Sequence, residues 1–120
     1  MEEIILGIVI KRAPVKDKDV RVTLMTPAGL KRFNIMGVNR AQLFSVSEFT
    51  IASHKIIKEH VIQSNFEITK NYDNYVRACK ICQHLLDTVP LAGEHDTFPI
   101  AMDEFKQTIE KFEGLACPTK

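Results

Sequence analysis

No part of this 120-residue chain is apolar for long enough to span a bilayer. The longest run near its start, IILGIVI, is short and follows Glu2 and Glu3 rather than basic residues. The sequence reads as a soluble protein without a signal peptide, and no membrane partner is expected. Cysteine is scarce too: Cys79, Cys82 and Cys117 make an odd set of 3 whose spacing outlines no disulfide framework. That usage fits a reducing compartment, so the cytoplasm is the expected location. Also missing are a P-loop, a GxGxxG turn, a nucleophile beside a base, and paired carboxylates in apolar surroundings. Ser45, Ser47 and Ser53 alternate with no motif around them, and His54 and His60 read as exposed strand-end residues. Neither an enzyme nor a cofactor is expected.

What is present is a chain that is 45% hydrophobic and 26% charged, enough to bury a core in one domain or one domain with an appendage. Its net charge of +1 conceals a gradient. Residues 1–40 sum to +4, residues 41–70 to 0 and residues 71–120 to −3.

The first 70 residues read as five strands. In EIILGIVIKRAP both phases are apolar at first, which predicts burial on both faces, and Gly7 marks a bend or a close backbone approach. DVRVTLMT sets Val20, Val22 and Leu24 on one face against Arg21, Thr23 and Met25 on the other. The turn TPAG, with Pro27 preset for its second position and Gly29 free to take positive φ, joins it to LKRFNIM as a hairpin. In LFSVSEFTIAS the apolar phase shifts between Phe44/Val46 and Phe49/Ile51, which predicts a β-bulge near Ser47 and Glu48. KIIKEHVIQSNFEI supplies the fifth run, with Ile57, Val61 and Ile62 as its expected anchors.

After Thr69 the period changes to that of helices, expected over 71–89 and 98–113. The first places Tyr72, Tyr75, Val76, Cys79, Cys82, Leu85, Leu86 and Val89 on a wide apolar arc, with Asp73, Arg77, Lys80, His84 and Asp87 opposite. The second has Thr97 as expected N-cap, Pro99 in its first turn, Gly114 as C-terminal cap and a stripe of Phe98, Met102, Phe105, Ile109 and Phe112. Residues 1–70 thus predict a five-stranded OB-type β-barrel, with an SH3-like barrel as the alternative, and residues 71–120 a partial helical domain, giving a mainly β fold with an α appendage of two packed helices.

Cations on a β-hairpin suit a nucleic-acid groove, because phosphates need positive partners and a barrel supplies a rigid curved face. Arg21, Lys31, Arg32 and Arg40 are the candidates, flanked by Lys11, Arg12, Lys16 and Lys18; a plain solvated hairpin is the competing explanation. Of the barrel aromatics Phe33, Phe44, Phe49 and Phe66, most fall in core phase, so base stacking is not expected to carry affinity. Cys79 and Cys82 have metal-ligand spacing, with His84, His95 and Cys117 as conceivable completions. Their place on the apolar helix face favours packing, and no metal is expected.

The stretch ILGIVIKRAPVKDKDVRVTLMTPAGLKRFNIMGVNR resembles the opening of the bacterial DNA repair protein family RecO, and LFSVSEFTIASHKII followed by HVIQSNFEITKNYDNYVRACKICQHLLDTV resembles its later strands and first helix. The resemblance implies an N-terminal OB domain that binds single- and double-stranded DNA. It also implies a recombination mediator that loads RecA onto strands coated by SSB, anneals complementary strands and works with RecR. Asp19, Thr23, Thr26 and Gly29 match the family's hairpin motif; Lys31, Arg32 and Arg40 match its basic DNA-facing region, and none of the family's residues is catalytic. The family has a cation directly after the Asp, where this chain has Val20 and then Arg21, and its longer basic loop is here GVNRAQ. It continues with further helices and often a four-cysteine zinc site, so a chain stopping at ACPTK reads as a truncated form or a fragment.

Overall fold

The computed structural model describes residues 2–37, 40–92 and 97–116. Five strands come first: β1 (Glu3–Lys16), β2 (Asp19–Thr26), β3 (Gly29–Met36), β4 (Val46–Ala52) and β5 (Lys55–Gln63). A short 3₁₀ turn over Phe66–Lys70 leads into α1 (Tyr72–Thr88), and α2 (Met102–Ala116) follows. The strands close into a barrel in the order β1-β2-β3-β5-β4. All neighbours are antiparallel except β3 and β5, which run parallel and meet only where Asn34 pairs with Lys55 and Ile35 with Ile56. This is an OB-type arrangement, mainly β with a helical appendage. Among the described residues no helix is long and apolar enough to cross a membrane.

Alternation along the strands builds two cores on opposite sides of one sheet. Val9, Val20, Val22, Leu24, Ile35, Phe49, Ile51 and Ile56 fill the barrel. Ile8, Ile10, Met25, Leu30 and Val46 face outward and are covered by Ala78, Cys82, Leu85, Phe105 and Phe112 of the two helices. Phe44 joins the layers, its ring set edge-on to Tyr75 at 5.9 Å and tilted against Phe112 at 5.4 Å. Asn71 caps α1 by accepting from the Asn74 N–H at 3.1 Å, and the Asn74 amide donates to the Leu115 carbonyl at 3.1 Å, tying the start of α1 to the end of α2.

The β2–β3 turn forms as its residues dictate. Gly29 has φ 117, Thr26 Oγ1 donates to the Gly29 carbonyl at 2.8 Å, and the Ala28 N–H donates to Thr26 Oγ1 at 3.1 Å. A Cβ on Gly29 would stand 3.0 Å from the Phe98 carbonyl oxygen, because Phe98 and Ile100 lie along this turn. The Phe98 N–H donates to the Ala28 carbonyl at 2.9 Å, Ile100 N–H to Pro27 at 3.0 Å, and Ala92 N–H to Leu30 at 2.8 Å. That docking corrects the sequence expectation for α2. Residues 98–101 lie outside the helix rather than forming its first turn, so Thr97 is no N-cap and Gly114 lies inside the helix. The buried stripe is Phe105, Thr108, Phe112 and Ala116, while Phe98 and Met102 are exposed.

Other expectations shift for the same reason: packing partners distant in sequence decide the outcome. Gly7 makes a close approach, a Cβ there lying 3.2 Å from the Leu24 Cβ, yet β1 runs on without a break. Burial in β1 centres on Gly7 to Ile10 rather than on its first residues, and Ile4 is exposed. β4 pairs with β1 in unbroken register from Ile51 to Val46, so the apolar phase change there is not a bulge in β4. Val46 points to the helices and Phe49 into the barrel, and both faces want apolar residues. The irregularities lie in β1, between Val9 and Lys11 and between Pro14 and Lys16, and in the β4–β5 pairing at Val46/Ser47, the expected place, and at Thr50/Ile51, where the extra residue belongs to β5. The expected anchors of β5 are also corrected: Ile57, Val61 and Ile62 are 43%, 47% and 55% exposed, and Ile56 is the residue that enters the barrel.

Candidate nucleic-acid interface

Residues opposite one another on neighbouring strands share a face. Thr23 lies between Lys11 of β1 and Arg32 of β3, and Arg21 lies between Ala13 and Asn34, all in the phase of the outward-facing Met25. Lys11, Arg21 and Arg32 therefore occupy adjacent positions on the outer face of β1–β2–β3, beyond the part that the helices cover, and all three are exposed. Arg21 Nε donates to Asn34 Oδ1 at 3.4 Å, which steadies the guanidinium across the strands. Lys31 is not part of this group. It pairs with Leu24 and shares the alternation phase of Phe33 and Ile35, which belongs to the barrel interior.

A second group of cations gathers at the adjoining end of the barrel. Lys16 and Lys18 flank the β1–β2 turn, where Asp17 takes φ 52, and the Lys18 carbonyl accepts the Gly37 N–H at 3.0 Å, bringing the exit of β3 to the same tip. Arg40 follows, its Nη1 donating to the Met36 carbonyl at 3.4 Å and its own carbonyl accepting Arg12 Nη2 at 3.2 Å. Next in line, Ala41 is buried in the barrel with φ 52. Its N–H donates to Glu59 Oε1 at 3.0 Å, and Glu59 Oε2 accepts from Ser47 Oγ at 3.2 Å. Ser45, another of the sequence's alternating serines, donates from Oγ to the Gln42 carbonyl at 2.7 Å.

Between these cations and α1 runs a groove of about 250 Å³ with Ile10, Leu43, Phe44 and Leu86 in its wall, Lys11 and Arg12 at one side, and Cys79 and Cys82 at its foot. Burial, with the neighbouring Cys79 as a lesser cause, pushes the Cys82 thiol up to about 12. The Tyr75 phenol is raised above its ordinary value chiefly by its hydrogen bond to Cys79. Among the described residues no three His, Cys, Asp or Glu side chains come together as a metal-holding group; His95 and Cys117 lie outside those residues. Nor does the outer face of β1–β2–β3 carry an aromatic side chain among them. Phe33 and Phe49 turn into the barrel, Phe44 is in the second core, and Phe66 lies under Lys70 with its ring centroid 5.7 Å from Nζ.

Of the cations singled out in the sequence, Lys11, Arg21 and Arg32 share the outer face, whereas Arg12 and Lys31 stand opposite the inward-facing Val22 and Leu24. Glu59, an acid between Lys58 and His60, is not among the sequence candidates; its inward phase follows from its pairing with Phe49. The signal was the strand parity, concealed by the extra residues in β5. Set against known proteins, the chain matches no family model and no curated sequence.

Proposed function

We propose that this chain is a non-enzymatic DNA-binding module of the RecO kind, engaging the phosphates of single- and double-stranded DNA in recombinational repair, in the cytoplasm and on the nucleoid. The reading is carried by one observation: the register that sets Lys11, Arg21 and Arg32 on a single uncovered face, next to the end of the barrel where Arg12, Lys16, Lys18 and Arg40 gather. Arg21 and Arg32 are diagonal neighbours, about 7–8 Å apart at Cα. With no aromatic platform there, affinity rests on phosphate neutralisation and counterion release, which recognise no base sequence. RecR, SSB and RecA are the partners the resemblance implies.

The test is binding to labelled oligonucleotides across a salt series. Replacing Arg21, Arg32 and Arg40 by Ala together should lower the slope of log K against log salt by about 2 to 3, equally for unrelated sequences. Folding stability should move by less than about 0.5 kcal/mol for the two strand arginines, since exposed strand charges contribute little. An unchanged slope in the folded triple variant returns the hairpin to an ordinary solvated surface. A second reading, an OB module that binds protein rather than DNA, draws on Ile57, Val61 and Ile62, which stand exposed along β5. Oligonucleotide titrations without a salt-dependent signal would give it the lead.

A further inference from the structure

We propose that Glu59 is a positioning residue of the phosphate-binding surface, holding Arg12 and Arg40 in place through the single peptide group that joins Arg40 to Ala41. The inference rests on the DNA-binding reading above. Both polar ends of that one peptide plane are engaged by charged side chains. Its carbonyl, from Arg40, accepts Arg12 Nη2 at 3.2 Å; its N–H, from Ala41, donates to Glu59 Oε1 at 3.0 Å. A cation at the oxygen and an anion at the nitrogen polarise the amide in the same sense, so each strengthens the other's bond.

Glu59 is itself fixed from two sides. Its backbone belongs to the β4–β5 ladder opposite Phe49, and its second oxygen accepts from the fully buried Ser47 hydroxyl at 3.2 Å. The carboxylate thus anchors the loop to the far wall of the barrel. Ala41 needs such an anchor, because its positive φ of 52 is a conformation that a residue with a Cβ keeps only when its surroundings enforce it. Once the 40–41 peptide is set, the Arg40 guanidinium returns to the Met36 carbonyl and Arg12 is drawn toward the loop, so two cations from different parts of the chain share one location.

This assignment reverses the sign that simple electrostatics gives. Removing an acid beside a polyanion site should tighten binding, as Coulomb's law requires. If Glu59 positions the cations, removing its reach should weaken binding instead. Three variants of the full chain separate charge from position. Glu59→Gln keeps an acceptor oxygen at the same reach and loses the charge; Glu59→Asp keeps the charge and loses the reach; Glu59→Ala loses both.

Binding to a labelled oligonucleotide over a salt series is the measurement, with circular dichroism melts confirming that each variant is folded at the working temperature. Glu59→Ala and Glu59→Asp should each bind about tenfold more weakly near physiological salt, with the log–log slope reduced by about 1 to 2, while Glu59→Gln keeps the wild-type slope. A purely structural role would lower the folded fraction and leave that slope alone. Should Glu59→Ala fail to fold, Glu59→Asp decides. Folded Glu59→Asp with wild-type slope and affinity, or folded Glu59→Ala binding more tightly than wild type, overturns the proposal. Wild-type protein without salt-dependent binding overturns the DNA reading itself, and the positioning role with it.

Discussion

Strand β1 serves two apolar clusters that differ in how they are built. Val9 enters the barrel, which strand residues fill together with Ala41 and Leu43 from just before β4. Ile8 and Ile10, its neighbours in sequence, enter a layer whose other half is helical and rests on Phe105 and Phe112. The inner cluster follows from strand alternation and closes on itself. The outer one exists only where a helix lands, and past the edge of that cover the same face changes from Met25 and Ile10 to Lys11, Arg21 and Arg32. The boundary of the helical cover is thus also the boundary of the proposed DNA surface.

The comparison breaks most decisively at the large aromatics. Phe49→Ala and Phe112→Ala should each cost about 3–5 kcal/mol in chemical denaturation, since both rings are fully buried. Their hydrogen-exchange signatures should differ. Phe49→Ala lowers protection throughout, whereas Phe112→Ala frees the amides of α1 and α2 while those of β2 stay slow. Equal loss in both variants would mean one cooperative core rather than two. Gly29→Ala tests the seam between the regions: a side chain at φ 117, placed 3.0 Å from the Phe98 carbonyl, should cost about 1–3 kcal/mol in thermal melts.

The smallest effect is expected from Cys82→Ala, on the order of 1 kcal/mol at neutral pH. Its pH dependence sharpens the contrast. The thiol of Cys82 is raised from 9.0 to about 12, so folding favours its protonated form. The stability this contributes is fully present below pH 9 and is lost as pH rises from there through about 12. The gap between wild type and Cys82→Ala should narrow over that window in urea titrations, and a constant gap would mean the thiol is not buried as described.

The inner cluster was readable because it obeys a local rule. Val20, Val22 and Leu24 alternate, and Pro27 and Gly29 announce the reversal, so strand number and barrel class followed from short patterns. The outer cluster was readable only in part. The double phase of Val46 and Phe49 looked like a slip in β4 because the helices that claim Val46 lie far along the chain. Nothing near Ile56 distinguishes it from Ile57, yet an extra residue in β5 sends only the first inside. Thr97 and Pro99 have the chemistry of a helix start, and backbone hydrogen bonds to Pro27 and Ala28 outcompete it. In the candidate interface the cations themselves were legible as composition. Which face Lys31 takes, and that Glu59 meets Ala41, depended on register.

The bonds from Phe98 and Ile100 to the β2–β3 turn close a loop of some seventy residues, counted from Ala28 to Phe98. Closure of so long a loop must wait until the chain between has been ordered, because its entropy is compensated only by contacts that form at the end. Residues 97–101 should consequently be the last segment to dock in refolding and the first to release in unfolding, with a transition state that resembles a barrel whose helices are still loose. Faster unfolding on destabilising substitution in residues 97–101, without a matching change in the folding rate, is the kinetic signature of that order.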